Sequence, residues 1–166
     1  KLFNSKWLDL AIIVLYIAFL IAEILVRNPW MVALAALGLL IANSARLVGW
    51  HTKGIWQKPL LWSLFIAFIW INLGFLLLAV NVFLNLPNIV VIHAFSVGGI
   101  GVVMLSMMAR VTLGHTGRNV QTPPKAVAIA LMVLVAGAVV RVIVPLVAGS
   151  HYVVWVAASQ VLWIAA

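Results

Sequence analysis

The chain has 166 residues, of which 67% are hydrophobic and 7% are charged, and its formal net charge is +8. A soluble domain carries roughly 25% charged residues, so this chain lacks the polar surface that water requires and belongs in a bilayer. In a soluble protein the positive charge would suggest nucleic acid, whereas in a membrane protein it reflects the cationic bias of cytoplasmic loops. We therefore expect membrane lipid around the chain and no nucleic-acid partner.

The sequence restricts the possible ligands of any metal. It contains no cysteine and only two acidic residues, Asp9 and Glu23. The lack of cysteine excludes disulfides, cysteine nucleophiles, thiolate-held iron–sulfur clusters and covalent c-type haem attachment. Calcium and magnesium cages need several carboxylates, so they are not expected. Metal ligands must come from His, Met, Tyr, the two acids or the backbone.

Six apolar runs predict an all-α, polytopic bundle of transmembrane helices that forms a single domain over residues 1–166. The runs lie near residues 8–26, 30–48, 60–84, 89–112, 125–149 and 152–166. A bilayer span needs about 20 mostly apolar residues. The last run has 15 residues, which reach ~22 Å against a hydrocarbon core of ~30 Å. Because the chain ends inside this run, we expect it to be a piece of a longer protein.

The loops predict the orientation of the bundle. The connections near residues 27–29, 85–88 and 148–150 carry one cation, Arg27. Eight of the ten Lys and Arg residues flank the other loops: Lys1, Lys6, Arg46, Lys53, Lys58, Arg110, Arg118 and Lys125. The positive-inside rule places these basic loops in the cytoplasm.

The fourth span combines residue types that suit a cofactor. At about 100° per residue, the angle of a 3.6-residue turn, His93, Gly101, Met104 and Met108 fall on one stripe. Imidazole binds haem iron or copper, and thioether suits haem iron or Cu(I). Gly101 would let a flat porphyrin approach the backbone. The alternative is a packing helix in which His93 is hydrogen-bonded and methionine fills gaps.

Two further polar residues are predicted near the depth of His93, close to the outer surface. Arg141 lies about two turns below that surface in the fifth span, and His151 begins the sixth. A haem held here would take His93 as an axial ligand and His151 as a second one, with Arg141 pairing a propionate. In the alternative, Arg141 extends outward to water and His151 is a solvated helix end.

The opposite, cytoplasmic surface carries His51 and His115, which we consider as metal ligands together with the residues of the fourth span. Arg46, Arg110 and Arg118 give this surface a positive field. Such a field binds an anionic headgroup, a propionate or a neighbouring domain, or it serves only topology and lipid contact.

Other polar residues in the spans are expected to be structural. Glu23 and Arg27 have the i, i+4 spacing of a helical ion pair. Asn43, Asn72 and Asn81 are predicted to form hydrogen bonds between helices, and Gly98 with Gly99 to permit close helix packing.

Two segments around the fourth span resemble the signature of the NnrS family. Residues 93–101 read HAFSVGGIG, and residues 107–118 read MMARVTLGHTGR. Upstream, residues 46–50 and 58–62 also fit the pattern. The resemblance extends over about residues 40–165.

The resemblance implies a function and cofactors. NnrS proteins are polytopic inner-membrane proteins of proteobacteria that carry haem and copper and are associated with nitric oxide metabolism and nitrosative stress. We therefore expect haem b, copper, nitric oxide as a ligand and a location in the bacterial inner membrane. Family members are about twice as long, so this chain resembles the C-terminal half, with the N-terminal half as its partner. At Phe65 the chain departs from a pattern in which relatives often carry histidine.

Two alternative functions stay open at this point. A b-type haem electron-transfer subunit would need histidines at two depths of the membrane. The outer depth has His93 and His151, and the cytoplasmic depth has His51 and His115. Half of a transporter would use polar residues such as Arg141, Asn72 and Glu23 along a path. The sequence does not decide whether the protein is an enzyme, since it contains no recognisable catalytic triad or phosphate loop.

Overall fold

The computed structural model describes residues 6–148 and 152–166, which form a bundle of helices without strands. The helices are α1 Lys6–Ile21, α2 Pro29–Trp50, α3 Pro59–Leu84, α4 Asn88–His115, α5 Lys125–Ala148 and α6 Tyr152–Ala165. The first is prolonged by a π-helical segment, Ala22–Val26, and the first five helical stretches are long and apolar enough to cross a membrane. The prediction of a transmembrane helical bundle is therefore confirmed, and α6 is short, with 14 residues.

The helix ends follow local sequence signals. Asn28 caps α2, because its Oδ1 accepts a hydrogen bond from the Trp30 backbone N–H at 2.9 Å, and Pro29 fills the first helical position. Arg27 and Asn85 end the preceding helices in the left-handed region, at φ 52° and 46°. These two turns lie at the same end of the bundle, which we call the low-charge end. The opposite end, with the turns after α2 and α4, is the basic end.

Helix α3 is the centre of the bundle. It packs against α2, α4 and α5, while α1 packs mainly on α2, and α6 mainly on α5. Helix α1 has no fully buried residue before its π-helical segment. Most of its apolar side chains therefore face outward, as in a helix that contacts lipid.

Glycines allow α3 and α4 to approach each other closely. A Cβ atom on Gly98 would overlap the indole ring of Trp70, and one on Gly74 would lie 2.7 Å from the Phe95 ring. A Cβ on Gly99 would lie 2.7 Å from Ile71 Cγ1. The prediction that Gly98 and Gly99 serve close helix packing is confirmed.

Replacing Gly98 with alanine is expected to destabilise the bundle by about 1–3 kcal/mol, the usual cost of overpacking a tight core. The matched control is Gly114→Ala in the same helix, where an added Cβ meets no atom within 4 Å. That variant should be neutral or slightly stabilising, because alanine favours helix by about 1 kcal/mol over glycine. Thermal unfolding in detergent measures both, and equal midpoints would contradict the assigned contact.

A π-helical segment, Ala94–Gly101, interrupts α4 between His93 and Met104. Its hydrogen bonds run from residue i to i+5, so each turn holds more residues than an α-helical turn. His93 is 8% exposed, whereas Met104 and Met108 are 57% and 62% exposed. His93 contacts Tyr152 and the two methionines share a cleft with Trp163, both residues of α6, so the difference in exposure does not contradict the prediction of one helix face.

The structure also corrects the predicted polar contacts of the spans. Arg27 Nε donates to the Ile24 carbonyl at 3.3 Å, and Glu23 forms no ion pair among residues 6–148 and 152–166. The reason is that Arg27 leaves the helix with a positive φ, so helical i, i+4 spacing does not apply. The ion pair found in these ranges joins Asp9 to Arg46 and ties α1 to α2, which sequence reasoning missed.

The three asparagines that were predicted to bond between helices make different hydrogen bonds. Asn81 Nδ2 donates to Asn88 Oδ1 at 3.3 Å, so the predicted bond between helices is confirmed there. Asn43 instead donates to the Leu39 carbonyl of its own helix at 2.9 Å. Asn72 is buried, and its Oδ1 has no hydrogen-bond partner among the described residues.

Candidate functional site

His93 lies in a buried contact between α4 and α6. Its Nδ1 is 3.1 Å from the hydroxyl oxygen of Tyr152, and the two rings are nearly parallel, with 10° between their planes. In the described part of the chain this hydroxyl is the one hydrogen-bond partner of the imidazole, so Nε2 has none there. Sequence reasoning missed Tyr152, whose only signal was a polar aromatic residue at the start of the sixth span.

Arg141 on α5 lies close enough to His93 and Tyr152 for its charge to act on both. Its Nη1 donates to Gln160 Oε1 at 2.6 Å and lies 3.5 Å from Ser159 Oγ. Its Nε is buried and has no partner among the described residues. We call these five residues, His93, Tyr152, Arg141, Ser159 and Gln160, the His93–Arg141 cluster.

The charge of Arg141 has no anionic partner in residues 6–148 and 152–166. One of the two acids, Asp9, is paired with Arg46, and the other, Glu23, lines a cleft between other helices. A guanidinium inside a membrane bundle is costly unless an anion or hydrogen-bond acceptors compensate it. The neutral side chains of Ser159 and Gln160 compensate it only in part, so the cluster can accept an anionic group.

The predicted ligands Met104 and Met108 lie at another place in the bundle. With Gly101 and Trp163 they line an apolar cleft of about 220 Å³. A Cβ on Gly101 would lie 2.9 Å from Trp163 Cζ2, so the indole occupies the space that the sequence suggested for a porphyrin. A porphyrin contact at Gly101 stays a prediction, and it would require Trp163 to move.

The predicted ligand His51 ends α2 within an aromatic group at the basic end. Trp56 Nε1 donates to His51 Nε2 at 3.4 Å, and the Phe65 ring centroid lies 5.8 Å from that of His51. Phe65 is therefore a direct neighbour of a histidine, at the position where the resemblance led us to expect another. The neighbouring cleft, of about 420 Å³, is lined by Trp50, Phe65 and Phe68 among other residues.

The structure does not gather the predicted metal ligands into one centre. His115 is exposed at the end of α4, and His151 lies outside the described residues. In the described ranges, no three His, Asp or Glu residues are close enough to hold a metal ion together. These residues therefore do not fit a copper centre of that kind.

Two groups of the His93–Arg141 cluster have the donor chemistry that the expected haem would need. A histidine that binds a metal usually holds its other ring nitrogen in a hydrogen bond, which Tyr152 supplies here. The buried, unpartnered Nε of Arg141 suits an anionic carboxylate such as a propionate.

The fold and the cluster together define a multi-pass membrane protein with ionisable residues inside its helical bundle. A family model described as NnrS protein matches residues 1–166. The chain therefore belongs to the NnrS family, and the match extends over the whole chain, beyond the residues that carried the resemblance. No curated protein and no solved structure matches the chain.

Proposed function

We propose that this chain is part of a haem- and copper-containing protein of the bacterial inner membrane that acts in nitric oxide metabolism and resistance to nitrosative stress. The observation that carries the haem assignment is the geometry of His93. Its Nδ1 is held by the Tyr152 hydroxyl, while its Nε2 has no partner among the described residues. Family membership supports the wider function.

Each residue of the cluster has a separate proposed role in holding the haem. His93 would hold the iron through Nε2, and Tyr152 would fix the imidazole ring so that this atom keeps one direction. Arg141 would pair with a propionate, and Gln160 with Ser159 would orient the guanidinium. His151 is the candidate for a second iron ligand.

Burial shields His93, the proposed iron ligand, from water. The residue lies beside an apolar cluster that includes Val90, Ala94 and Val97, which exclude water from it. Haem iron with a histidine ligand supplies a site that binds nitric oxide directly. The proposed role of the chain is to hold that site dry and to neutralise its acidic edge with Arg141.

Copper belongs to the proposal through the family resemblance, with Met104, Met108, His51 and His115 as candidate ligands. Met104 and Met108 share one cleft, and thioether sulfur suits Cu(I). No three His, Asp or Glu residues in the described ranges come together, so a copper site would need the methionines as well as histidine ligands.

The protein purified from its own membrane is expected to show a Soret band and near-stoichiometric iron, and nitric oxide is expected to shift the band. Optical spectra, metal analysis and a nitric oxide titration measure these properties. Absence of haem from protein purified with an intact membrane would overturn the proposal. Reduction of the haem by quinol without a response to nitric oxide would instead favour an electron-transfer subunit. Solute flux without a chromophore would favour a transporter.

A further inference from the structure

A second polar site lies at the low-charge end of the bundle, and none of the residues of the His93–Arg141 cluster lines it. It is a cleft of about 500 Å³ between the turn that joins α1 to α2 and the turn that joins α3 to α4. The lining residues are Glu23, Arg27, Pro29, Val32, Leu78, Asn81, Val82, Asn85 and Asn88. Polar groups of both charges thus lie above apolar walls, at the level where the helices end.

Glu23 is the acid without an ion pair in the described part of the chain. It belongs to the π-helical segment that ends α1, about one turn before the left-handed residue Arg27. π-helical segments inside or at the ends of helices are frequent at functional sites. The carboxylate therefore lines the cleft without an ion-pair partner among residues 6–148 and 152–166.

Asn81 and Arg27 bring further unsatisfied groups to the same cleft. Asn81 Oδ1 is buried and has no partner in the described part of the chain, while Nδ2 donates to Asn88 Oδ1. Arg27 uses Nε to bind a backbone carbonyl of its own helix, and its two Nη groups form no ion pair with the residues that the structure describes. The cleft therefore offers two acceptors, Glu23 and Asn81, and one cationic donor.

We propose that this cleft binds the zwitterionic headgroup of an aminophospholipid, phosphatidylethanolamine. The primary ammonium donates to the Glu23 carboxylate and to Asn81 Oδ1, and the phosphate accepts from Arg27. Val32, Leu78 and Val82 line the apolar part of the cleft, along which the glycerol and the first acyl carbons lie.

Charge complementarity selects this occupant over simpler ones. An anion alone would be repelled by Glu23, and a metal cation alone by Arg27. Phosphatidylcholine carries both charges, but its ammonium has no N–H and cannot satisfy the two acceptors. The volume also suits a headgroup better than a single ion, since pockets for small organic molecules span about 300–1,000 Å³.

The test uses purified protein in nanodiscs that contain equal amounts of phosphatidylethanolamine and phosphatidylcholine. Native mass spectrometry counts the lipids that stay bound. The wild type is expected to retain phosphatidylethanolamine in about tenfold excess, the factor expected from a single charge-assisted hydrogen bond. Glu23→Gln is expected to bring the ratio close to one, whereas Arg27→Gln is expected to lower the retention of both lipids, because both carry the phosphate.

Arg118→Gln is the matched control, because it removes an exposed cation at the basic end and should leave the ratio unchanged. Circular dichroism and the thermal midpoint of each variant report whether it has folded. A folded Glu23→Gln variant that keeps the wild-type preference would overturn the proposal. So would displacement of the lipid by millimolar phosphoethanolamine, which would identify a soluble zwitterion as the occupant.

Discussion

Replacing His93 with alanine is expected to remove the Soret band of the purified protein, or to shift it to the spectrum of a haem that has lost an axial ligand. The reason is that Nε2 is the atom we assign to iron, and alanine offers no replacement. The side chain is 8% exposed and packs beside the core between α3, α4 and α5, so the variant also leaves a cavity. Added imidazole can enter that cavity and should restore part of the band.

His115→Ala is the matched control for this experiment, since it removes a histidine from the other end of the same helix. It should leave the haem spectrum unchanged. Tyr152→Phe is the graded variant: it keeps the ring beside His93 but removes the hydroxyl that binds Nδ1. We expect it to retain haem with a changed reduction potential, because hydrogen bonding to the far nitrogen tunes an axial histidine. A spectrum unchanged by His93→Ala would rule out His93 as the ligand.

Replacing Arg141 with leucine is expected to weaken haem binding by about tenfold to a hundredfold. That range corresponds to one charge-assisted hydrogen bond of about 1.5–3 kcal/mol. The same change should leave the thermal stability of the haem-free protein unchanged or raise it, because an apolar side chain replaces an unpaired charge inside the bundle. The opposite directions of the two effects distinguish a ligand-binding arginine from a structural one.

Haem titration and thermal unfolding of the haem-free protein measure these two effects. Arg141→Lys should give an intermediate affinity, since lysine keeps the charge but not the planar fork of donors. Arg110→Leu at the basic end controls for the loss of one cation. If Arg141→Leu lowers stability and leaves haem affinity intact, the arginine only supports the contact of α5 with α6 through Gln160 and Ser159.

The helices were predictable from the sequence because the bilayer imposes a simple rule on length and polarity. The boundaries of α2 and α3 lie within two residues of the predicted runs, since Pro29 and Pro59 mark their first turns. The short last helix was predicted for the same reason. Close packing through Gly98 was also predictable, because small residues at helix contacts are a general feature of membrane bundles.

The arrangement of the candidate site was less predictable. The π-helical segment of α4 cannot be read from a hydrophobic pattern, because it depends on which carbonyl each N–H reaches. Tyr152 and Gln160 enter the cluster through contacts between different helices. Nothing in their sequence neighbourhood specifies those partners. The sequence did not predict the cleft at Glu23, because the i, i+4 spacing of Glu23 and Arg27 suggested an ion pair between them.

The π-helical segment Ala94–Gly101 has a mechanical consequence for α4. Its hydrogen-bonded rings hold one residue more than α-helical rings, so conversion of one such turn to α-helix would rotate one half of α4 against the other by about 100°. The i to i+5 hydrogen bonds of that turn would be exchanged for i to i+4 bonds, and Met104 and Met108 would turn relative to His93. The π-helical segment therefore lets the two halves of α4 take different rotations, and groups bound at either end of the helix would select between them.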